Sequence, residues 1–226
     1  MRKITPIFVA VAAMGLMAGG SALAGTQNFG TFTVTATTSQ LTTTYPGAST
    51  FADTNTFAGY AGSVTTPVAT ITGGALNPGG STNPDSGIDN SIANYLAAEP
   101  ANDETITFNS NQRYFGLLWG SVDESNTISF YENSTLLATF TGSGLEGSTV
   151  ALQGYPVPGS FVDFVADNSS FDFNEVVVID GGGDPFETDN YAALAVPEPA
   201  AWAMLLLGMG AMGAILRRRN GGLAPA

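Results

Sequence analysis

Through the middle of the chain, apolar and polar residues alternate in short runs, the pattern of strands with one face buried. Phe32-Thr33-Val34-Thr35 is the first such run, and Val68-Ala69-Thr70-Ile71-Thr72 the second. The stretch between them reads as a long polar loop, since residues 26–72 hold 19 Thr or Ser in 47 positions. That composition also suits O-glycosylation. Residues 73–87 carry two Gly-Gly pairs and two Asn-Pro steps, and predict a loop. Ile88, Ile92 and Tyr95 or Leu96 share one face of a short helix predicted over 88–97 and ended by Pro100. The strand signal is strongest from 104 onward. Strands are predicted at Thr105 to Phe108, Arg113 to Trp119, Thr127 to Tyr131, Leu136 to Thr141, Phe161 to Val165, Phe173 to Ile179 and Tyr191 to Ala195. The linkers Asn109-Ser110-Asn111-Gln112, Ser121 to Asn126 and Glu132-Asn133-Ser134 are rich in turn formers. Such spacing predicts an all-β fold, an antiparallel jelly-roll-like β-sandwich with a short helix. Its expected core includes Phe115, Leu117, Trp119, Ile128, Phe130, Leu137 and Phe140.

The two ends follow other rules. Residues 1–24 read as a signal peptide: Arg2 and Lys3, then an apolar run from Ile4 to Met17, then Ala22-Leu23-Ala24. Small residues at Ala22 and Ala24 place cleavage before Gly25. The body, 25–195, is then the exported domain. At the other end Val196-Pro197-Glu198-Pro199 interrupts the pattern, and Ala200 to Leu216 runs 17 residues without a charge before Arg217-Arg218-Arg219. As a helix that run is about 25 Å long, slightly short of a hydrocarbon core of about 30 Å. It predicts a C-terminal transmembrane helix over 196–219 with 220–226 as a cytoplasmic tail. The three arginines act as the membrane stop and keep the body outside the cytoplasm.

Val-Pro-Glu-Pro, a short apolar helix and an arginine cluster together resemble the PEP-CTERM sorting signal of Gram-negative bacteria. The resemblance covers about 25 residues. It implies that Pro197, Glu198 and Pro199 are recognised and cleaved by exosortase, a membrane-embedded transpeptidase-like enzyme, so the chain would be its substrate. The secretion translocon and the inner membrane are the other partners it implies. The segment Tyr114 to Asp123 with Asn126 to Tyr131 is similar to a block in some exosortase-dependent surface proteins. Phe186-Glu187-Thr188-Asp189-Asn190-Tyr191 resembles the closing strand of many extracellular β-sandwich domains. No activity follows from either likeness.

Charge narrows the function. Between Gly25 and Val196 there are 18 carboxylates and a single basic residue, Arg113, a charge of −17. Such a body repels nucleic acid. With no Cys and no His, it cannot build a Ser-His-Asp or Cys-His site or a His-based zinc site. A glycosidase needs two facing carboxylates, and 18 of them leave that class open. The expectation is nevertheless that the protein is not an enzyme. Calcium is the one cofactor the composition suits, since it takes oxygen ligands. The richest candidate is Asp180, Asp184, Glu187, Asp189 and Asn190 around Gly181-Gly182-Gly183. Two poorer ones are Asp85, Asp89 and Asn90, and Asp123, Glu124 and Asn126. Against all three stands ordinary turn chemistry. The expected function is an exported structural or adhesive protein of the cell surface or exopolysaccharide matrix. The alternative is a glycan-binding module that uses Tyr45, Tyr60, Tyr114, Tyr131 or Tyr155 as stacking platforms.

Overall fold

The computed structural model describes residues 24–38, 40, 42–53, 55–78, 94–120, 122–146, 159–182, 185–196 and 199–220. In chain order the strands are β1 (Ala24–Asn28), β2 (Phe32–Thr38), β3 (Ser49–Ala52), β4 (Ser63–Thr65), β5 (Ala69–Thr72), β6 (Ala75–Pro78) and β7 (Asn94–Ala98). They continue with β8 (Glu104–Trp119), β9 (Thr127–Glu132), β10 (Thr135–Thr141), β11 (Ser160–Ala166), β12 (Phe173–Ile179) and β13 (Phe186–Ala195). A short helix α1 (Gly142–Glu146) follows β10, a 3₁₀ turn (Ser169–Phe171) precedes β12, and helix α2 (Pro199–Asn220) ends the described chain.

The strands form one antiparallel sheet that curls on itself. Strand β8, 16 residues long, makes this happen by changing partners along its length. In its first half Ile106 lies between Ile71 of β5 and Val176 of β12. In its second half Phe115 lies between Phe164 of β11 and Ala193 of β13. From the first half the sheet runs on through β9 and β10, and from the second through β2 and β1. The two halves face each other across a core of rings. Phe32 of β2 lies 4.6 Å from Phe130 of β9 by ring centroids, and Phe164 of β11 lies 5.1 Å from Phe130 and 5.3 Å from Phe140 of β10. Each such pair adds about 0.5–1.5 kcal/mol to the burial of its area. Of the expected core residues, Phe115, Leu117, Trp119, Ile128, Phe130 and Phe140 are buried, and Leu137 packs against them half-buried.

Three expectations need correction. Asn109 to Gln112 is not a turn but part of β8. Between Phe173 and Glu175 of β12 the partner on β8 steps from Gln112 to Thr107, so the polar segment bulges out of a continuous strand. Its groups are held from outside: the Asn109 N–H donates to Val68 O at 2.9 Å, and Asn111 Nδ2 to Glu132 Oε1 at 3.1 Å. The helix predicted over 88–97 is replaced at 94–98 by β7; residues 88–93 lie outside the described residues. Tyr95 to Ala98 are all buried, a run covered on both faces and not a helical stripe. The polar stretch after β2 is not all loop, because β3 forms within it on β13, far along the chain, and β4 forms a short hairpin with the neighbouring β5.

A second cluster covers the outer face of the β8–β11–β13 region: Tyr114, Leu118, Phe161 and Ala192, with Tyr45 laid across them. The Tyr45 and Tyr114 rings stack at 4.4 Å with 12° between planes. Gly116 makes this possible. A side chain there would run into the Tyr114 hydroxyl and come within 2.7 Å of the Phe161 ring. Gly116→Ala should therefore destabilise the fold by about 1–3 kcal/mol in chemical denaturation. A change of only a few tenths would mean the two rings are not packed over that glycine.

Candidate functional site

Two regions carry chemistry: the C-terminal junction, and a group of acids where β13 meets its neighbours. At the junction β13 ends at Ala195, and the Val196 N–H donates to Asn111 O at 2.9 Å. Pro197 and Glu198 lie outside the described residues. Pro199 opens α2, where a missing N–H costs nothing. Helix α2 exposes Met204, Leu206, Leu207, Met209, Met212 and Leu216. Among the described residues, however, no helix is long and apolar enough to cross a membrane. Gly208, Gly210 and Gly213 dilute its apolar run. Arg217 is exposed in its last turn; Arg218 and Arg219 belong to the same helix. At the other end Ala22 is outside the described residues, while Ala24 and Gly25 open β1, with Gly25 paired to Ala36.

Among the described residues, the acids expected around the glycine loop do not gather as one group. Asp180 follows β12, and its Oδ1 accepts the Gly182 N–H at 2.8 Å, which is turn chemistry. Asp184 lies outside the described residues, as do Asp85, Asp89 and Asn90. Glu187 and Asp189 are buried in β13, and Asn190 between Asp189 and Tyr191 has φ +53°. Asp123 and Asn126 also make a turn, Asn126 N–H to Asp123 O at 3.1 Å, with Glu124 exposed beside them. Among the described residues no three carboxylates come together in a way that would hold a metal ion.

What the structure does bring together is a set the sequence reading missed. Glu104, at the start of β8, is fully buried. Tyr191 donates its hydroxyl to Glu104 Oε1, and Thr188 donates to Oε2 at 3.0 Å. Thr188 Oγ1 also lies 2.5 Å from the Tyr191 hydroxyl. Burial pushes the Glu104 carboxyl up to about 7, and the two hydroxyl donors only partly offset it. Tyr60, burdened by burial and by the nearby Glu104 charge, is raised to about 12; its hydroxyl donates to Gly73 O at 2.5 Å. Tyr191 is raised well above its ordinary value by burial and then by Glu104. Asp189 is also buried, and its carboxyl rises to about 7, mainly by burial, with Asp53 and Glu104 adding to the rise. A signal for Glu104 was present: it is in period-two register with Ile106 and Phe108, which puts a carboxylate on the core face.

Three of the tyrosines proposed as sugar platforms, Tyr45, Tyr60 and Tyr114, are occupied within the fold. Tyr114 is buried and donates to Asp163 Oδ1 at 2.5 Å, Tyr45 lies over it, and Tyr60 is tied to Gly73. Tyr131 is half-buried, and Tyr155 lies outside the described residues. Trp119 is buried and stacks on Phe186 at 4.1 Å, as its apolar neighbours predict. A surface groove of about 370 Å³ lies beside Phe29, Leu137, Phe140 and Leu145, and no amide or carboxylate side chain lines it.

Glu104 sets a pH dependence. Its folded value lies above its ordinary value of 4.5, so folding takes up a proton between the two. The stabilisation is complete below about 4.5 and is lost as pH rises through about 7. Thermal melting should therefore show stability falling from pH 5 to pH 8 by a few kcal/mol, on the order of the shift. Asp189, raised to about 7 as well, adds to the same slope, so Glu104→Gln should reduce it without abolishing it; an unchanged slope would remove Glu104 as a cause.

Compared with known proteins, the chain matches the PEP-CTERM protein-sorting motif over residues 195–219. No curated protein and no solved structure matches it.

Proposed function

We propose that this chain, which carries a PEP-CTERM protein-sorting motif, is an exported structural or adhesive protein of the cell surface or exopolysaccharide matrix, processed by exosortase. One observation carries the reading: the motif begins at residue 195, where the last strand of the body ends. Removal of everything after the motif proline pair leaves intact all thirteen strands of the described residues. The N-terminal boundary agrees, since β1 opens at Ala24 and the expected cleavage falls before Gly25. Processing at both ends then trims the chain to its sheet.

In the precursor the translocon passes the body outward, and α2 with Arg217, Arg218 and Arg219 holds the tail at the inner membrane. The mature body is then released or transferred to the surface. We read the body as non-catalytic and as a jelly-roll-like sandwich whose acidic exterior keeps it soluble. A structural role fits better than a glycan-binding module, because Tyr45, Tyr60 and Tyr114 are engaged inside the fold and no amide or carboxylate side chain lines the groove to orient a sugar.

Intact-mass analysis of the mature protein from its own cells should give a species beginning at Gly25 and ending near Pro197 to Pro199. A mature species that keeps Arg217 to Arg219 would overturn the sorting reading. A glycan array should give no tight, defined ligand; one such hit would favour the binding module.

A further inference from the structure

Strand β13 changes its partner midway along one edge. Over Phe186 to Thr188 it pairs with β7, and from Tyr191 to Ala193 with β3. Asp189 and Asn190 sit at the fork, where the ladder is broken and Asn190 takes a left-handed backbone. Asp189 is completely buried there, at 0 % exposure, and neither of its carboxylate oxygens has a hydrogen-bond partner. The Asn190 N–H is close enough to favour the charged carboxylate but does not make a regular hydrogen bond to it.

Asp53 stands across the fork. It follows Ala52, whose register partner is Tyr191. Its Oδ1 accepts the N–H groups of Asn55 and Thr56, both at 3.0 Å. Burial acts to raise this carboxyl, but the hydrogen bonds from Thr56 and Asn55 outweigh it and hold it below the usual range, so Asp53 is ionised at neutral pH.

No side chain of the body neutralises this pair. Arg113 is the one basic residue between Gly25 and Val196, and its guanidinium is forked onto Asp172 with two contacts of 2.9 Å. A proton on Asp189 would cancel its charge but would leave two buried oxygens still unbonded, at a cost of about 1–3 kcal/mol each. A divalent cation answers both needs at once.

We propose that Asp189 and Asp53 form a cation site at the fork of β13, β7 and β3, and that calcium is the ion it takes. Both Asp189 oxygens and Asp53 Oδ2 supply hard oxygen ligands. Backbone carbonyls and water complete the six to eight that calcium requires. Magnesium fits less well, because it demands rigid octahedral geometry at about 2.0–2.1 Å. The site differs from a glycine-loop site built on Asp180. Its ligand chemistry is independent of the sorting reading; only the ready supply of calcium outside the cytoplasm rests on it.

The test is thermal melting of the full-length chain, freed of metal by chelator, as calcium chloride is added at constant ionic strength. The wild type should show a saturable rise in Tm with a Kd of about 10⁻⁴–10⁻³ M, as for extracellular calcium modules. Asp189→Asn should abolish the response, Asp53→Asn should weaken it by about tenfold or more, and Asp180→Asn should leave it unchanged. If Asp189→Asn does not fold, terbium luminescence decides: calcium should displace terbium from the wild type, and Asp53→Asn should bind terbium more weakly. A wild type without a calcium response, an equal response to magnesium, or loss of the response in Asp180→Asn would each overturn the proposal.

Discussion

Strand β8 is the backbone through which the two halves of the sheet are joined, and the closure of the core depends on its running unbroken from Glu104 to Trp119. With no disulfide to staple the body, nothing covalent across strands substitutes for that continuity. The halves meet through aromatic rings instead, with Phe130 in contact with Phe32, Phe164 and Phe173 from three different strands. The bulge at Asn109 to Gln112 lets one strand serve both halves. A straight strand of that length would hold its two sets of partners in one plane.

A second constraint comes from composition. A body with a single arginine has one cationic group for its acids, and it is spent on Asp172. Every other buried carboxylate must be met by hydroxyl or backbone N–H donors, by a proton or by an ion from outside. Glu104 illustrates the first solution, flanked by Tyr191 and Thr188. Asp163 illustrates it again on the opposite face, where the Tyr114 hydroxyl reaches it. In both places a buried tyrosine takes the part that an arginine or lysine plays elsewhere, which explains why these tyrosines serve the fold and do not face a ligand.

Much of this was legible in the sequence. Strands β2, β5 and β9 to β12 lie where period-two alternation puts them, and the sorting motif is local enough to be read residue by residue. What escaped was non-local. Asn109 to Gln112 reads as a turn because its residues favour turns, and only partners far along the chain hold it extended. Tyr95 to Ala98 reads as helix because a run buried on both faces carries no period of two. Ser49 to Ala52 has little apolar signal, and forms a strand because β13 offers an edge. The acids show the same limit: nearness in sequence grouped Asp180 with Asp189, whereas Asp180 follows β12 and Asp189 lies in β13 at the fork that Asp53 adjoins.

The hydrogen bond from Val196 to Asn111 fixes how the tail is coupled mechanically to the body. Strand β13 lies inside the sheet, with β8 along one edge and β7 and β3 along the other. A pull on the chain beyond Val196 would draw β13 along its own axis. Its ladders on both sides are then loaded in shear, all bonds sharing the force, and not unzipped singly from an edge. Force applied at the C-terminal junction would therefore not unravel the sheet from that point.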